Sequence, residues 1–322
     1  MMKRPVLRRL GFALASLLPA WVGYAQPLPL PAGHTLLITS VRTGDTEVFA
    51  VDPVSGTSVN LTNSPQSEER YPAWSPDGKR IVFTSDRGDG KTFDLFLAGA
   101  DGSDPKRLTQ LPAGSVAYWP AFTADGRFIY FNEGNRSCIY RVRPDGSDLK
   151  KTAEGRDGNV SPDGRKVVFT QRGAKGFGVW VMDVDGTHRK QIIPQESEIG
   201  GIAPVWSPDG KKIAVSGQDG SYAEIFACNA DGSNLTQLTQ LKKISSSPAF
   251  SPDGQFLTFR VTDEAYWRDA QKRKKAYQEK GADKRPVWLV RADGSGAQLI
   301  EVLHYHCAMD GSRAEWMPAP GQ

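Results

Sequence analysis

His304 and His306 lie one residue apart near the end of this 322-residue chain. On a strand, residues two apart share a side, so the pair could offer two imidazoles to a metal ion. The pattern holds no third ligand, and an ordinary loop pair accounts for the same residues. Five regularly spaced carboxylates stand before glycine, at Asp101, Asp145, Asp185, Asp231 and Asp293. Each has the neighbours of a tight turn, so they read as turn formers and not as metal ligands. Arg70, Tyr71, Tyr118, Trp119, Arg156, Asp157 and Glu198 fall between the repeating units, where charged and aromatic residues gather. The chain contains no Gly-x-Ser-x-Gly elbow, no His-Glu-x-x-His, no Cys-x-x-Cys and no phosphate-cradling glycine loop. No catalytic residue, metal or cofactor is therefore assigned.

The elements that must position these residues come from a repeat. Tyr71–Lys79 reads Tyr-Pro-Ala-Trp-Ser-Pro-Asp-Gly-Lys and returns at 119–127, 158–165, 203–211 and 247–255. A short apolar strand ends in Trp74, Phe122, Val160, Trp206 or Phe250. Ser-Pro-Asp-Gly then supplies a turn in which Pro fixes φ and Gly takes the positive φ that leads out. An alternating strand follows, then a third that ends at the second Asp-Gly, then a fourth that ends near Leu-Thr. Four strands in every 40–50 residues or so is the period of a β-propeller blade. Leu36–Thr62 has three strands and lacks the first. Ala314–Trp316 has the pattern of the missing one. The chain is thus expected to be all-β, a six-bladed propeller at 34–322, closed by a C-terminal strand that removes two exposed sheet edges.

The Ser-Pro-Asp-Gly and Asp-Gly-Ser repeat resembles the WD-like repeat of the TolB family of periplasmic propeller proteins, over nearly all of residues 35–318. The resemblance implies a non-enzymatic scaffold that binds an envelope or secreted protein. Related propellers include polysaccharide lyases that use several histidines with a metal, which gives the alternative of a carbohydrate-active lyase or hydrolase with its site at the channel mouth. This chain has only His34, His188, His304 and His306. His188 belongs to the opposite rim, which makes a three-histidine site hard to assemble. TolB resembles a two-domain protein with an α/β domain before its propeller, and this chain is expected to have no room for one.

Residues 1–25 read as a secretory signal peptide, with Lys3, Arg4, Arg8 and Arg9, an apolar run too short to span a bilayer, and a small-x-small end at Gly23-Tyr24-Ala25. Removing those four from the 40 Lys and Arg leaves 36, equal to the 36 Asp and Glu. A neutral body is not a nucleic-acid surface. Residues 26–33 form a Pro-rich arm that matches no binding motif. Cys138, Cys228 and Cys307 are an odd count. The first two lie on third strands of different blades, too far apart to bridge, and read as small buried hydrophobes.

Both Asp-Gly turns of a meander fall on one rim, which leaves the blade links and the second-to-third loops on the other. That second rim is where partners are expected. The last blade spends about 25 residues there where others spend about ten. This insertion, 263–285, carries eight Lys/Arg against five Asp/Glu, and 263–280 within it is expected to be a helix that stops at Gly281. Tyr266 and Tyr277 share a stripe flanked by Trp267 and Arg273, which would either lie on the propeller or dock a partner. Small residues before each aromatic (Ala73, Ala121, Asn159, Val205, Ala249) suit a crowded axis, and Glu315 is the exception. It stands either near the channel or at a surface terminus. The partner rim comprises the link residues, the insertion, His304, His306 and Glu315, with a glycan or small molecule as a further possible ligand.

Overall fold

The computed structural model describes residues 35–300 and 314–318, apart from 135–136, 175, 196, 198–200, 264–268 and 270–285. All regular secondary structure among them is β-strand. The signal segment, the arm, Glu198, the insertion apart from Asp263 and Asp269, His304, His306 and Cys307 lie outside the described residues.

One sheet runs in the order β24 (Glu315–Trp316), β1 (Leu36–Ser40), β2 (Glu47–Val51) and β3 (Ser58–Asn60). The next is the meander β4 (Glu69–Trp74), β5 (Arg80–Ser85), β6 (Asp94–Gly99) and β7 (Lys106–Arg107). A third holds β8 (Ala117–Phe122), β9 (Ile129–Glu133), β10 (Cys138–Val142) and β11 (Lys150–Glu154). A fourth holds β12 (Arg156–Val160), β13 (Lys166–Arg172), β14 (Phe177–Asp183) and β15 (Lys190–Ile193). The last contains β16 (Ile202–Trp206), β17 (Lys212–Asp219), β18 (Tyr222–Asn229) and β19 (Thr236–Gln237), then β20 (Ile244–Phe250), β21 (Phe256–Thr262), β22 (Val287–Arg291) and β23 (Gln298–Leu299). Its two meanders join through one parallel pair, Ala223 with Ile244. β24 pairs antiparallel with β1, Trp316 opposite Leu36 and Glu315 opposite Leu37. The first strands also touch in succession, β4 to β8, β8 to β12, β12 to β16, β16 to β20, β20 to β24 and β24 to β4. The architecture is an all-β propeller.

Alternation along each strand puts one apolar row on each face. The cores therefore lie between sheets. Val168, Val179 and Ile193 of one sheet pack with Trp206, Val215 and Phe226 of the next. Leu37, Val48 and Leu61 pack with Trp74, Phe83 and Phe96. Cys138 and Cys228 are both buried, and burial pushes the Cys228 thiol up to about 11.

The turns behave as their residues require. In the first, Ser75 Oγ donates to Asp77 Oδ1 at 2.6 Å and accepts from Arg80 N at 2.9 Å, while Gly78 sits at φ +66°. The same bonds recur at Thr123, Ser161, Ser207 and Ser251. Those hydroxyl and amide donors hold Asp77, Asp125, Asp163 and Asp209 below the usual carboxylate range. The second turn does more than reverse the chain. A Cβ on Gly102 would stand 1.7 Å from the Leu61 carbonyl oxygen of the preceding sheet, and one on Gly232 would stand 2.3 Å from that of Ile192. The tip of each of these turns is pressed against its neighbour's backbone.

The Leu-Thr that the sequence places at the end of the fourth strand lies just beyond it and has a separate role. Thr109 Oγ1 donates to the buried Asp94 Oδ1 at 2.7 Å and accepts from Leu95 N at 3.0 Å. Thr239 repeats this with Glu224 and Ile225 N, and Thr62 with Glu47 and Val48 N. A buried carboxylate thus ties the third strand to the chain after the fourth. Thr109→Val and Thr239→Val should each lower unfolding free energy by about 1–3 kcal/mol, because each strips a donor from a buried carboxylate. Urea denaturation measures the loss. Gly102→Ala should cost more than either, since neither its φ nor the Leu61 carbonyl admits a Cβ.

Candidate functional site

The rim away from the Asp-Gly turns carries the site residues expected from sequence that fall within the described set, except Glu315, which stands beside Trp316 at the turn-rim end of β24. Their setting differs from the expectation in one respect. Arg70, Tyr71, Tyr118, Trp119, Arg156 and Asp157 are not in links between blades. They lie inside the first strands β4, β8 and β12. Each of these strands slips register there, between Arg70 and Ala73, between Tyr118 and Ala121, and between Arg156 and Asn159. The bulge breaks the alternation that would have identified a strand.

The bulged residue adopts left-handed φ in every copy: Tyr71 +49°, Trp119 +48°, Asp157 +60°, Ala203 +53° and Ser247 +54°. Non-glycine residues enter this region at a cost of about 1–2 kcal/mol. The repeat imposes the conformation, and the side chain varies from copy to copy. No copy uses the glycine that would occupy it most cheaply.

Two of these positions hold large aromatics, Tyr71 and Trp119, and both rings contact Tyr118. The Tyr71 and Tyr118 rings lie 6.0 Å apart, and those of Tyr118 and Trp119 lie 5.5 Å apart edge to face. All three residues are half-buried. Arg156 is exposed beside them, with its guanidinium 5.5 Å from the Phe177 ring. Burial, with Asp157 and Glu133 adding to it, raises the Tyr118 phenol above its ordinary range. It remains a neutral hydroxyl at physiological pH, able to donate a hydrogen bond and unable to act as a base.

Arg70 and Asp157 are buried and serve the scaffold. Arg70 binds Glu68 at 2.9 Å and stacks over Phe93 at 4.7 Å. Asp157 accepts from Thr170 Oγ1 at 2.9 Å and from the Ala203 amide of the next sheet at 3.3 Å. Glu315 is half-buried in β24. Asn159 adds a joint that the sequence did not signal, since its Oδ1 accepts from the Trp206 amide at 3.1 Å.

Glu69, beside Arg70, is fully buried. Its Oε1 accepts from Ser67 Oγ at 2.6 Å, Ser85 Oγ at 2.8 Å and the Arg87 guanidinium at 3.2 Å. Its Oε2 has no hydrogen-bond partner. Burial, assisted by the charge of Glu47, raises its pKa to about 7 against the opposing pull of Ser67, Ser85 and Arg87. Among the described residues no group of three or more His, Cys, Asp and Glu could hold a metal.

The opposite rim has a central concavity of about 760 Å³. Every sheet contributes to it. Trp74, Phe122 and Phe250 end their first strands at its wall, Pro76, Pro162, Pro208 and Pro252 stand at the turns, and Pro318 follows the last strand. The sequence pointed to the other rim. The prolines that form this mouth read as turn residues, and only closure of the sheets around one axis gathers them.

The sequence profile of the TolB β-propeller domain matches residues 24–199 and 159–265. An uncharacterized protein of Agrobacterium fabrum is 30% identical over 189 residues, which is 54% of this chain and 62% of that one. A TolB homologue of Chlorobium luteolum is 30% identical over 159 residues, 47% of this chain and 35% of the homologue. The chain thus spans less than two thirds of either relative. Among solved structures, TolB of Acinetobacter baumannii superposes with a TM-score of 0.67 at 19% identity, over 89% of this chain and 66% of that one. An oligogalacturonate lyase in complex with manganese gives 0.53 at 13% identity, over 84% and 74%. At these identities the structural likenesses describe the fold.

Glu69 makes stability depend on pH in a stated direction. Between its ordinary value of 4.5 and its folded value of about 7, the folded chain keeps a proton that the unfolded chain has lost. Stability should therefore fall as pH rises through that window and level off above it, by about 2–3 kcal/mol in all. Glu69→Gln should flatten the fall and exceed the parent in stability at pH 8. Denaturant titrations from pH 5 to 8 test this.

Proposed function

Because the chain belongs to the TolB β-propeller domain family, we propose that it is a secreted or periplasmic propeller that binds a protein partner without turnover. Residues 1–25 direct its export, and no helix among the described residues is long and apolar enough to cross a membrane. Six blades form the ring, the C-terminal strand closing it as the first strand of the blade that β1 begins. The pairing of Trp316 with Leu36 and the contacts of β24 with β20 and β4 support that closure.

The partner binds on the rim that carries Tyr71, Tyr118, Trp119 and Arg156, joined by the basic insertion at 263–285 with Tyr266, Trp267, Arg273 and Tyr277. Glu198, His304 and His306 belong to the same rim in this reading. The observation that carries it is the half-exposed Tyr71–Tyr118–Trp119 cluster. Two of its members occupy left-handed positions where glycine would cost less. Aromatic and arginine side chains of this kind anchor interfaces, because they bury large rigid surfaces with little loss of conformational entropy.

The likeness to a manganese-bound lyase suggests the second reading, a metal-assisted polysaccharide lyase using His304 and His306. It rests on fold alone.

The mature chain should capture an envelope or secreted protein in a crosslinking pull-down from envelope extract. Tyr118→Ala with Trp119→Ala should weaken binding of that protein, once purified, by at least about tenfold in calorimetry while melting stays cooperative. Replacing 263–285 with a short Gly-Ser turn should weaken it as well. Cleavage of polygalacturonate by the purified chain with Mn²⁺, lost in His304→Ala, would overturn the scaffold reading in favour of the lyase.

A further inference from the structure

We propose that the central concavity on the turn rim is the docking site of the chain's own Pro-rich arm, residues 26–33. Three independent observations converge on that occupant.

The first is the chemistry of the mouth. Trp74, Phe122 and Phe250 supply aromatic walls, and Pro76, Pro208 and Pro252 supply a rigid apolar edge. Its carboxylates are already committed to their turns. Asp209 accepts from Ser207 Oγ at 2.6 Å and Lys211 N at 3.0 Å, and Asp253 from Ser251 Oγ at 2.6 Å and Gln255 N at 3.0 Å. A surface of aromatics and prolines of this kind accepts an uncharged polyproline II ligand, which carries little ordering entropy of its own.

The second is the sequence of the arm. Gln26-Pro27-Leu28-Pro29-Leu30-Pro31-Ala32-Gly33 contains no charged residue and alternates proline with leucine. That alternation favours polyproline II and offers apolar side chains that the cavity can bury.

The third is where the chain enters. β1 begins at the turn rim, because Leu36 pairs with Trp316 at the end of β24. The Thr35 carbonyl accepts from the Met317 amide at 2.7 Å, and the next residue, Pro318, lines the concavity. Met317 Cε also lies 3.1 Å from where a Cβ of Gly78 would stand, at the adjoining turn. Thr35, two residues beyond the arm, is thus held at the edge of the mouth. Eight residues in polyproline II reach about 25 Å.

Tethering places the arm at an effective concentration of millimolar order. A weak intrinsic affinity then suffices to occupy the mouth, and any partner that uses this face must displace the arm first.

The test compares the mature chain with one lacking residues 26–33. The probe is a synthetic peptide of Gln26–His34, and the readouts are calorimetric affinity and hydroxyl-radical labelling of Pro76, Phe122 and Pro208, which line the mouth and are half-buried. The peptide should bind the arm-deleted chain at least about tenfold more tightly than the intact chain, where the tethered arm competes. Labelling of these three residues should rise several-fold on deletion and fall again when peptide is added. Ala124→Trp, at an exposed turn position lining the mouth, should abolish peptide binding to the arm-deleted chain. The proposal is overturned if the peptide binds both chains equally or neither, or if deletion leaves labelling unchanged. Protection that grows with protein concentration would overturn it too, since the occupant would then be the arm of a second copy.

Discussion

A four-stranded antiparallel sheet with apolar residues on both faces cannot cover itself. Each sheet of this protein has two such faces, and each face is buried only by the sheet next to it. The rest of the structure follows from that requirement. The aromatic that ends each first strand, from Trp74 to Phe250, lies between sheets. The Asp-Gly tips press so closely on the preceding sheet that Gly102 has no space for a methyl group beside the Leu61 carbonyl. Asn159 and Asp157 reach across to the amides of Trp206 and Ala203. Hydrophobic burial drives the stacking, and these few polar joints fix its register.

That requirement also sets where carboxylates can do chemistry. Most of those near the repeat are consumed by structure. Ten turn aspartates bind their own Ser or Thr, while Glu47, Asp94 and Glu224 are held by threonine hydroxyls beneath the sheet surface. Glu69 is the exception in kind. It is buried with one oxygen unpartnered, and the fold tolerates it chiefly as the neutral acid. The result is a scaffold whose acidic residues mostly serve folding, leaving aromatics and arginine to meet other molecules.

The two rims are chemically unlike because the repeat treats them differently. The turn rim is regular, and its prolines and aromatics converge on one axial mouth. The opposite rim is made from bulged strand segments whose left-handed residue is free to vary, giving Tyr, Trp, Asp, Ala and Ser at one geometric position. Variation confined to one position lets the surface change without disturbing the sheets. This is the economy of repeat folds, with function placed where the pattern is least constrained.

The sequence by itself determined the repeat, the all-β class, the turn role of the repeated Asp-Gly pairs from Asp101 to Asp293, and the burial of Cys138 and Cys228. These are legible because turn chemistry and two-residue alternation are local: Pro, Asp and Gly act within four residues. Only the tertiary structure decided that Tyr71, Tyr118 and Trp119 share a patch and that Arg70 and Asp157 are spent on packing. It also decided that the Leu-Thr hydroxyls hold buried acids and that prolines some 50 residues apart line one concavity. Each of these depends on how one sheet faces the next. No short window of sequence contains that information, and the bulge in every first strand breaks the alternation at the very residues that form the candidate site.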